Sequence, residues 1–300
     1  MTTIDGALRR ALERRGDELI LTLDPAFQGF PETAHGGTVL AAFDAVAAMP
    51  APRHVTGRYL RRVPVGEPLR LVTARRDAAL GCRLLDAGAT LLVDGMVTPA
   101  AGTAVLGREM GGPPGNRRIV RRAVSGTAPP PPEPGASYPL PVSRTCFACG
   151  TDNPLGLRLR LAFDEAAVGA TWQPREGFGI EDGTLAPVAL TALLDEAAFW
   201  LGALASGESG MTTDLRVTLV RPAPFGSPIA VVGERGRVGP RRDDARYWET
   251  RVVARDATGL VATAEITFVA VRGAARRLIT GMLALNPPEI VRRVFPAYAG

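Results

Sequence analysis

The chain has 300 residues, 46% of them hydrophobic, and a formal net charge of +5. That is enough apolar material for one large domain or two ordinary ones whose cores need no disulfide staples. Three cysteines, an odd number, argue against an oxidised framework and for a reducing compartment. Every basic residue is arginine, the arginines are scattered, and aromatics make up only 6%, a pattern that argues against a nucleic-acid-binding face.

In chain order, the opening MTTIDGALRRALERRGDE has no continuous apolar core of the kind a secretory signal needs. No apolar run is read as reaching membrane-spanning length either, so a soluble, cytoplasmic protein without a membrane partner is expected. FQGFPETAHGG then leads into a helix over 36–49 that starts His-Gly-Gly and carries Asp44. VTGRYLRRV, LRLVTARR, ATLLVDGMV and TAVLG follow as faint strands. Residues 107–143, with GGPPG, RRIVRR and PPPPEP, favour extended, weakly packed chain and read as a linker. After CFACGTDNPLGLRLRL comes a second helix over 187–205, LAPVALTALLD at its start and Asp195 two turns in. DLRVTLVR, IAVVGERGRV, RYWETRVVARD and LVATAEITFVAV are clearer strands bounded by Gly, Pro and Asp, as in antiparallel hairpins.

The signals repeat. Each helix is followed by an Arg-x-x-Pro-x-Gly-x-Pro turn, RRVPVGEPL from Arg61 and RPAPFGSPI from Arg221. Two homologous units, 1–106 and 144–272, with a C-terminal extension at 273–300, form the economical division. Both helices are apolar nearly all round, which marks helices covered on most sides.

His-Gly-Gly with an acid nine residues after the histidine, the Pro-x-Gly-x-Pro turn, and Cys-Phe-x-Cys-Gly-x-x-Asn-Pro-x-Gly-Leu from Cys146 together resemble the hotdog-fold thioesterases of the phenylacetate-pathway type. The resemblance covers about residues 18–105 and 144–272. It implies an α+β double hotdog, with two long central helices packed antiparallel and wrapped by antiparallel sheet. It also implies an acyl-CoA substrate, hydrolysis of a thioester, no cofactor, and Gly36 as oxyanion donor flanked by His35 and Gly37. Further pairing of whole chains into a homodimer or larger homo-oligomer is expected, because a sheet edge or face is left to cover.

Physical chemistry assigns the roles. Gly36 and Asp44 are eight residues apart, roughly 12 Å along one helix, so no single carbonyl touches both. Antiparallel packing would bring the acid of one helix to the first turn of the other. There the free N–H groups and the helix dipole can hold the oxygen of a thioester and stabilise growing negative charge. Pro187 stands where Gly36 stands in the first unit, and proline starts a helix but donates no hydrogen bond. Gly36 with Asp195 therefore reads as a whole site. Asp44 with Pro187 reads as a degenerate one, in which the Val188 N–H is the remaining donor and Ala186 replaces the histidine. Asp195 would act as base or nucleophile, while Glu196, rotated by about 100°, is expected to face elsewhere.

Weaker candidates remain. Gln28 lies near a polar amide of the family, although Gly29 aligns there. Cys146 and Cys149 form a single CxxC, two ligands short of a zinc site, so no metal is expected. His54 reads as a lone loop histidine. Arg61 and Arg221 could serve the phosphates of coenzyme A, as could Arg117 to Arg122. A non-catalytic acyl-CoA binding or sensing protein is the alternative to a thioesterase, and a hotdog dehydratase a third reading whose usual acid and histidine spacing is missing.

Overall fold

The computed structural model describes residues 3–100 and 136–298. TAVLG, Arg117 to Arg122 and most of the expected linker lie outside the described residues. The first half contains α1 (Ile4–Arg10), β1 (Leu12–Arg15), β2 (Glu18–Leu21), α2 (Gly36–Ala47), β3 (Arg53–Tyr59), β4 (Leu69–Arg76), β5 (Ala79–Leu85) and β6 (Leu91–Pro99). The second contains β7 (Tyr138–Pro139), β8 (Ala162–Phe163), β9 (Ala167–Trp172), α3 (Pro187–Ser206), β10 (Gly210–Leu219), β11 (Ile229–Glu234), β12 (Gly239–Pro240), β13 (Tyr247–Asp256) and β14 (Gly259–Ala270). Two further helices close the chain, α4 (Ala274–Thr280) and α5 (Pro288–Val294).

Among the described residues all strands join one antiparallel sheet of fourteen, in the order β1, β2, β4, β5, β6, β3, β10, β14, β13, β11, β9, β8, β7, with β12 beside β13. The halves meet at the β3–β10 seam. Read outward from it, each half repeats the same succession: β6, β5, β4, β2 on one side and β14, β13, β11, β9 on the other. At the seam Thr56 faces Arg216, and these two are equivalents in the register that matches Arg61 with Arg221. The loops before the helices repeat as well. Thr33 bridges Pro64 as Thr184 bridges Pro224, and Gln28 bridges Ala34 as Gly179 bridges Leu185. In both Pro-x-Gly-x-Pro turns the glycine has a positive φ, 76° at Gly66 and 92° at Gly226, which explains why glycine recurs there.

Helix α2 ends at Ala48, in the left-handed conformation, and α3 at Gly207, likewise left-handed. Both are buried along almost their whole length. In length and composition α3 could cross a membrane, contrary to the sequence expectation, but 83% of its apolar window is buried inside this fold. The helices touch closely near the start of α2, where a Cβ on Gly37 would lie 2.5 Å from the Thr191 carbonyl oxygen and 2.7 Å from the Ala192 Cα. Only glycine fits against that backbone.

The C-terminal extension is part of the core. Ala275, Leu278, Leu283, Val291, Val294 and Phe295 are all buried, and the Phe295 ring lies 6.4 Å from that of Trp200 on α3. Asn286 holds Val142 by both its N–H and its carbonyl, so the chain entering the second half is tied to this extension.

Arg221 clamps the β13–β14 hairpin. Its guanidinium donates to both Asp256 carboxylate oxygens, at 3.0 and 2.6 Å, and to the Thr258 hydroxyl and Gly259 carbonyl. It is thus committed to the fold and does not line the cavity described below. The hydrogen bond from Arg221 outweighs the effect of burial and holds the Asp256 carboxyl down at about 2.

Two outcomes follow from this packing. Gly37→Ala should lower stability by about 1–3 kcal/mol, because the neighbouring atoms are backbone and cannot turn aside; denaturant unfolding measures it. Asp256→Asn should cost about 1–2 kcal/mol, a value reduced for the partly exposed arginine. Since the folded carboxyl titrates below the unfolded one, its contribution is complete above about pH 4. It is lost as pH falls towards 2, so melting temperatures of parent and variant should converge there.

Candidate functional site

The site begins with a docking event between the halves. Phe147, inside the Cys-Phe-x-Cys-Gly motif, donates its N–H to the Gln28 carbonyl at 2.7 Å, and Asn153 Nδ2 donates to the Ala26 carbonyl at 2.7 Å. The Phe147 ring sits 5.3 Å from that of Phe27 and 6.4 Å from His35. Gly150 permits the tight turn, since a Cβ there would lie 2.2 Å from the Cys146 carbonyl oxygen. The motif thereby lays Cys146 beside the start of α2.

Helix α3 delivers its two acids to the same place. Asp195 Oδ2 accepts the Gly37 N–H at 2.9 Å and lies 3.2 Å from His35 Nδ1, while Oδ1 accepts the Thr212 hydroxyl at 2.9 Å. A Cβ on Gly36 would lie 2.7 Å from Asp195 Oδ2, so this glycine too makes room for the acid. Glu196 does not face elsewhere: Oε2 lies 3.4 Å from His35 Nε2 and 4.0 Å from Cys146 Sγ, and Oε1 accepts the Trp200 indole N–H at 3.0 Å. One residue's rotation along a helix separates the two acids, and the histidine is broad enough to meet one with each ring nitrogen. His35, Asp195 and Glu196 are all buried.

Burial opposes a charge on His35, but the Asp195 charge and the hydrogen bond to Glu196 outweigh it and lift its pKa to about 9. Burial likewise opposes the charge on Glu196, and the bond to His35 and its charge hold that carboxyl below its ordinary value. The imidazolium therefore sits between two carboxylates. With Nδ1 protonated, the Gly37 N–H goes to Asp195 rather than to the ring nitrogen 3.3 Å away. Among the described residues the Gly36 N–H has no hydrogen-bond partner, and the Gly36 carbonyl accepts the Tyr59 hydroxyl at 2.6 Å.

These groups lie at a cavity of about 620 Å³. His35, Gly36, Asp195, Glu196, Cys146 and Cys149 line one part of it. Phe30, Phe199, Trp200 and Met211, with Leu278, Met282 and Leu283 from the C-terminal extension, provide apolar wall, and Arg58, Arg61, Arg62 and Arg241 lie among its polar lining. Gln28 is not among the lining residues although Gly29 is; the Gln28 side chain instead accepts the Glu32 N–H at 3.2 Å. His54 is not in a loop but on β3, with Nδ1 2.8 Å from the Thr218 hydroxyl.

The corresponding place in the second half differs. Asp44, also buried, takes a two-pronged ion pair from Arg53, Nη2 to Oδ2 at 2.7 Å. Helix α3 starts with Pro187 after Ala186, which provides no side-chain cap, and Val188 is buried. Arg53 neutralises the acid where the first site has a histidine and a threonine.

Two residues at the first site carry no signal in the sequence, and a third is visible there without its direction. Thr212 and Tyr59 come from strands whose register decides what they face. Glu196 was visible beside Asp195, but its direction depends on where His35 stands.

No protein-family model and no curated protein matches this sequence. Solved structures do resemble it. A conserved protein of unknown function with hot dog fold from Alicyclobacillus acidocaldarius is 13% identical, with 88% of this chain and 98% of that one covered at a TM-score of 0.54. An acyl-CoA thioesterase II, TesB2, of Mycobacterium marinum is 14% identical, covering 88% and 96% at 0.50. The dehydratase domain of PpsC from Mycobacterium tuberculosis, in complex with C12:1-CoA, is 13% identical, covering 86% and 96% at 0.54. Identities this low speak to the fold alone: this chain has the hotdog fold.

Proposed function

We propose that the chain is a double hotdog acyl-CoA thioesterase, built from units 1–106 and 144–272 with central helices packed antiparallel, and that it has one working site. The observation that carries this reading is the meeting of Asp195, from one half, with the first turn of α2, from the other, beside an apolar cavity. A thioester carbonyl placed over the start of α2 would find the Gly36 N–H and the positive end of the helix. Asp195, held by Gly37 and Thr212, takes a proton from water as its oxygen attacks the carbonyl carbon. The C–S bond then breaks, and the proton passes to the departing thiolate. Direct attack by the carboxylate is the other route open to the same residue. His35 and Glu196 keep Asp195 in place and its charge compensated. The acyl chain would lie against Phe30, Phe199 and Leu283, and Arg58, Arg61 and Arg62 would meet the phosphates of coenzyme A.

The His35–Asp195 contact and the dehydratase neighbours favour a second reading, removal of water from a hydroxyacyl thioester. It requires a ring nitrogen free to take a proton from substrate, and both nitrogens of His35 face carboxylates. The thioesterase reading is therefore preferred. A non-catalytic acyl-CoA sensor would use the same cavity without turnover.

A panel of acyl-CoA esters with detection of free thiol separates these readings. Release of coenzyme A is the expected result; an enoyl product without free thiol would favour the dehydratase, and binding without either product the sensor. In the responsive substrate, Asp195→Asn should lower turnover by about 10²-fold or more. Asp44→Asn should change it by less than about threefold at temperatures where the variant is folded, while lowering stability because Arg53 loses its partner. Equal rate losses in the two variants would mean two working sites.

A further inference from the structure

Beside Asp195, three metal-ligating groups converge from three separate segments. His35 Nε2, Glu196 Oε2 and Cys146 Sγ all lie within 4.8 Å of one another, with 3.4 Å between the first two and 4.0 Å between the carboxylate and the sulfur. In a tetrahedral zinc site with ordinary bond lengths, such ligand atoms stand about 3.4–3.6 Å apart. Closing the remaining gaps requires only small side-chain rotations. All three residues are buried and all three line the cavity. Motif spacing along the chain does not reveal this set, because the partners of Cys146 come from the other half and from α3.

The surroundings suit a bound cation. His35 presents Nε2 to the cluster while Nδ1 faces Asp195, the carboxylate–histidine arrangement that fixes the ring and raises its strength as a ligand. Trp200 donates to the far oxygen of Glu196, leaving Oε2 directed inward. The Ala148 N–H points at Cys146 Sγ from 3.3 Å and so fixes the direction of the sulfur. The mixed nitrogen, oxygen and sulfur set matches zinc better than the all-oxygen preference of magnesium or calcium.

We propose that His35, Cys146 and Glu196 form a site for one zinc ion, which displaces the protons of His35 Nε2 and Cys146 Sγ to solvent as it binds, with Asp195 accepting the remaining His35 Nδ1–H as outer partner and a fourth coordination position towards the cavity. This inference does not rest on thioester hydrolysis, since metal binding is read without substrate. The full chain, stripped with a chelator and then given zinc chloride, should retain one equivalent of zinc through gel filtration. Cobalt chloride in its place should give a thiolate-to-cobalt charge-transfer band. Cys146→Ser should abolish that band and Cys82→Ala should leave it unchanged. Asp195→Asn should weaken zinc binding by about 10–100-fold, as loss of an outer partner does. Circular dichroism of each variant establishes that it is folded, and Glu196→Gln provides a second loss that keeps the cysteines intact. No retained zinc in the full chain, or a cobalt band that survives Cys146→Ser and Glu196→Gln, would overturn the proposal.

Discussion

The carboxylate of Asp195 accepting the Gly37 N–H holds the two halves of this molecule in functional register. It is a charge-assisted bond, in a buried place, to the positive end of a helix, and each of these conditions strengthens it. It exists because the start of α2 has no side chains in the way. Gly36 leaves space for the carboxylate and Gly37 leaves space for the α3 backbone. A β-carbon at either position would push α3 outward and separate the acid from the amide it meets.

From that bond the asymmetry of the chain follows. Both halves keep the buried acid, but the fold surrounds the two differently. Around Asp195 the partners are a backbone amide, a hydroxyl and a histidine that itself needs a second carboxylate. Around Asp44 it is a single arginine in a two-pronged grip. The first arrangement leaves the acid on a cavity wall; the second satisfies it as part of the packed interior. On the proposed function, one repeated device serves chemistry in one copy and architecture in the other, and the proline at the start of α3 agrees with that division.

The C-terminal extension shows how a segment outside the repeat can shape the site. Its buried residues pack on Trp200, and its apolar side chains complete the cavity wall that α3 begins. Asn286 also fastens the strand-like segment leading to the Cys-Phe-x-Cys-Gly motif, so the same extension steadies the loop that places Cys146.

The sequence by itself determined the repeat, the two buried helices and their starting residues. Apolar periodicity, glycine in the left-handed turns and proline at a helix start are local constraints, written where they act. It also placed Asp195 among the candidates through its spacing on the helix, and His35 through the family resemblance of the His-Gly-Gly motif. The tertiary structure decided what each polar group meets. Glu196 turns to His35, Gln28 turns from the cavity, Arg221 is spent on Asp256 and Arg53 on Asp44. Arg221 with Asp256 and Arg53 with Asp44, 35 and 9 positions apart, depend on how neighbouring strands and helices are placed, whereas Glu196 meets His35 across 161 positions, through one half docking against the other. A pattern read along one chain carries no record of that contact, because the energy that selects it arises only when both surfaces are present.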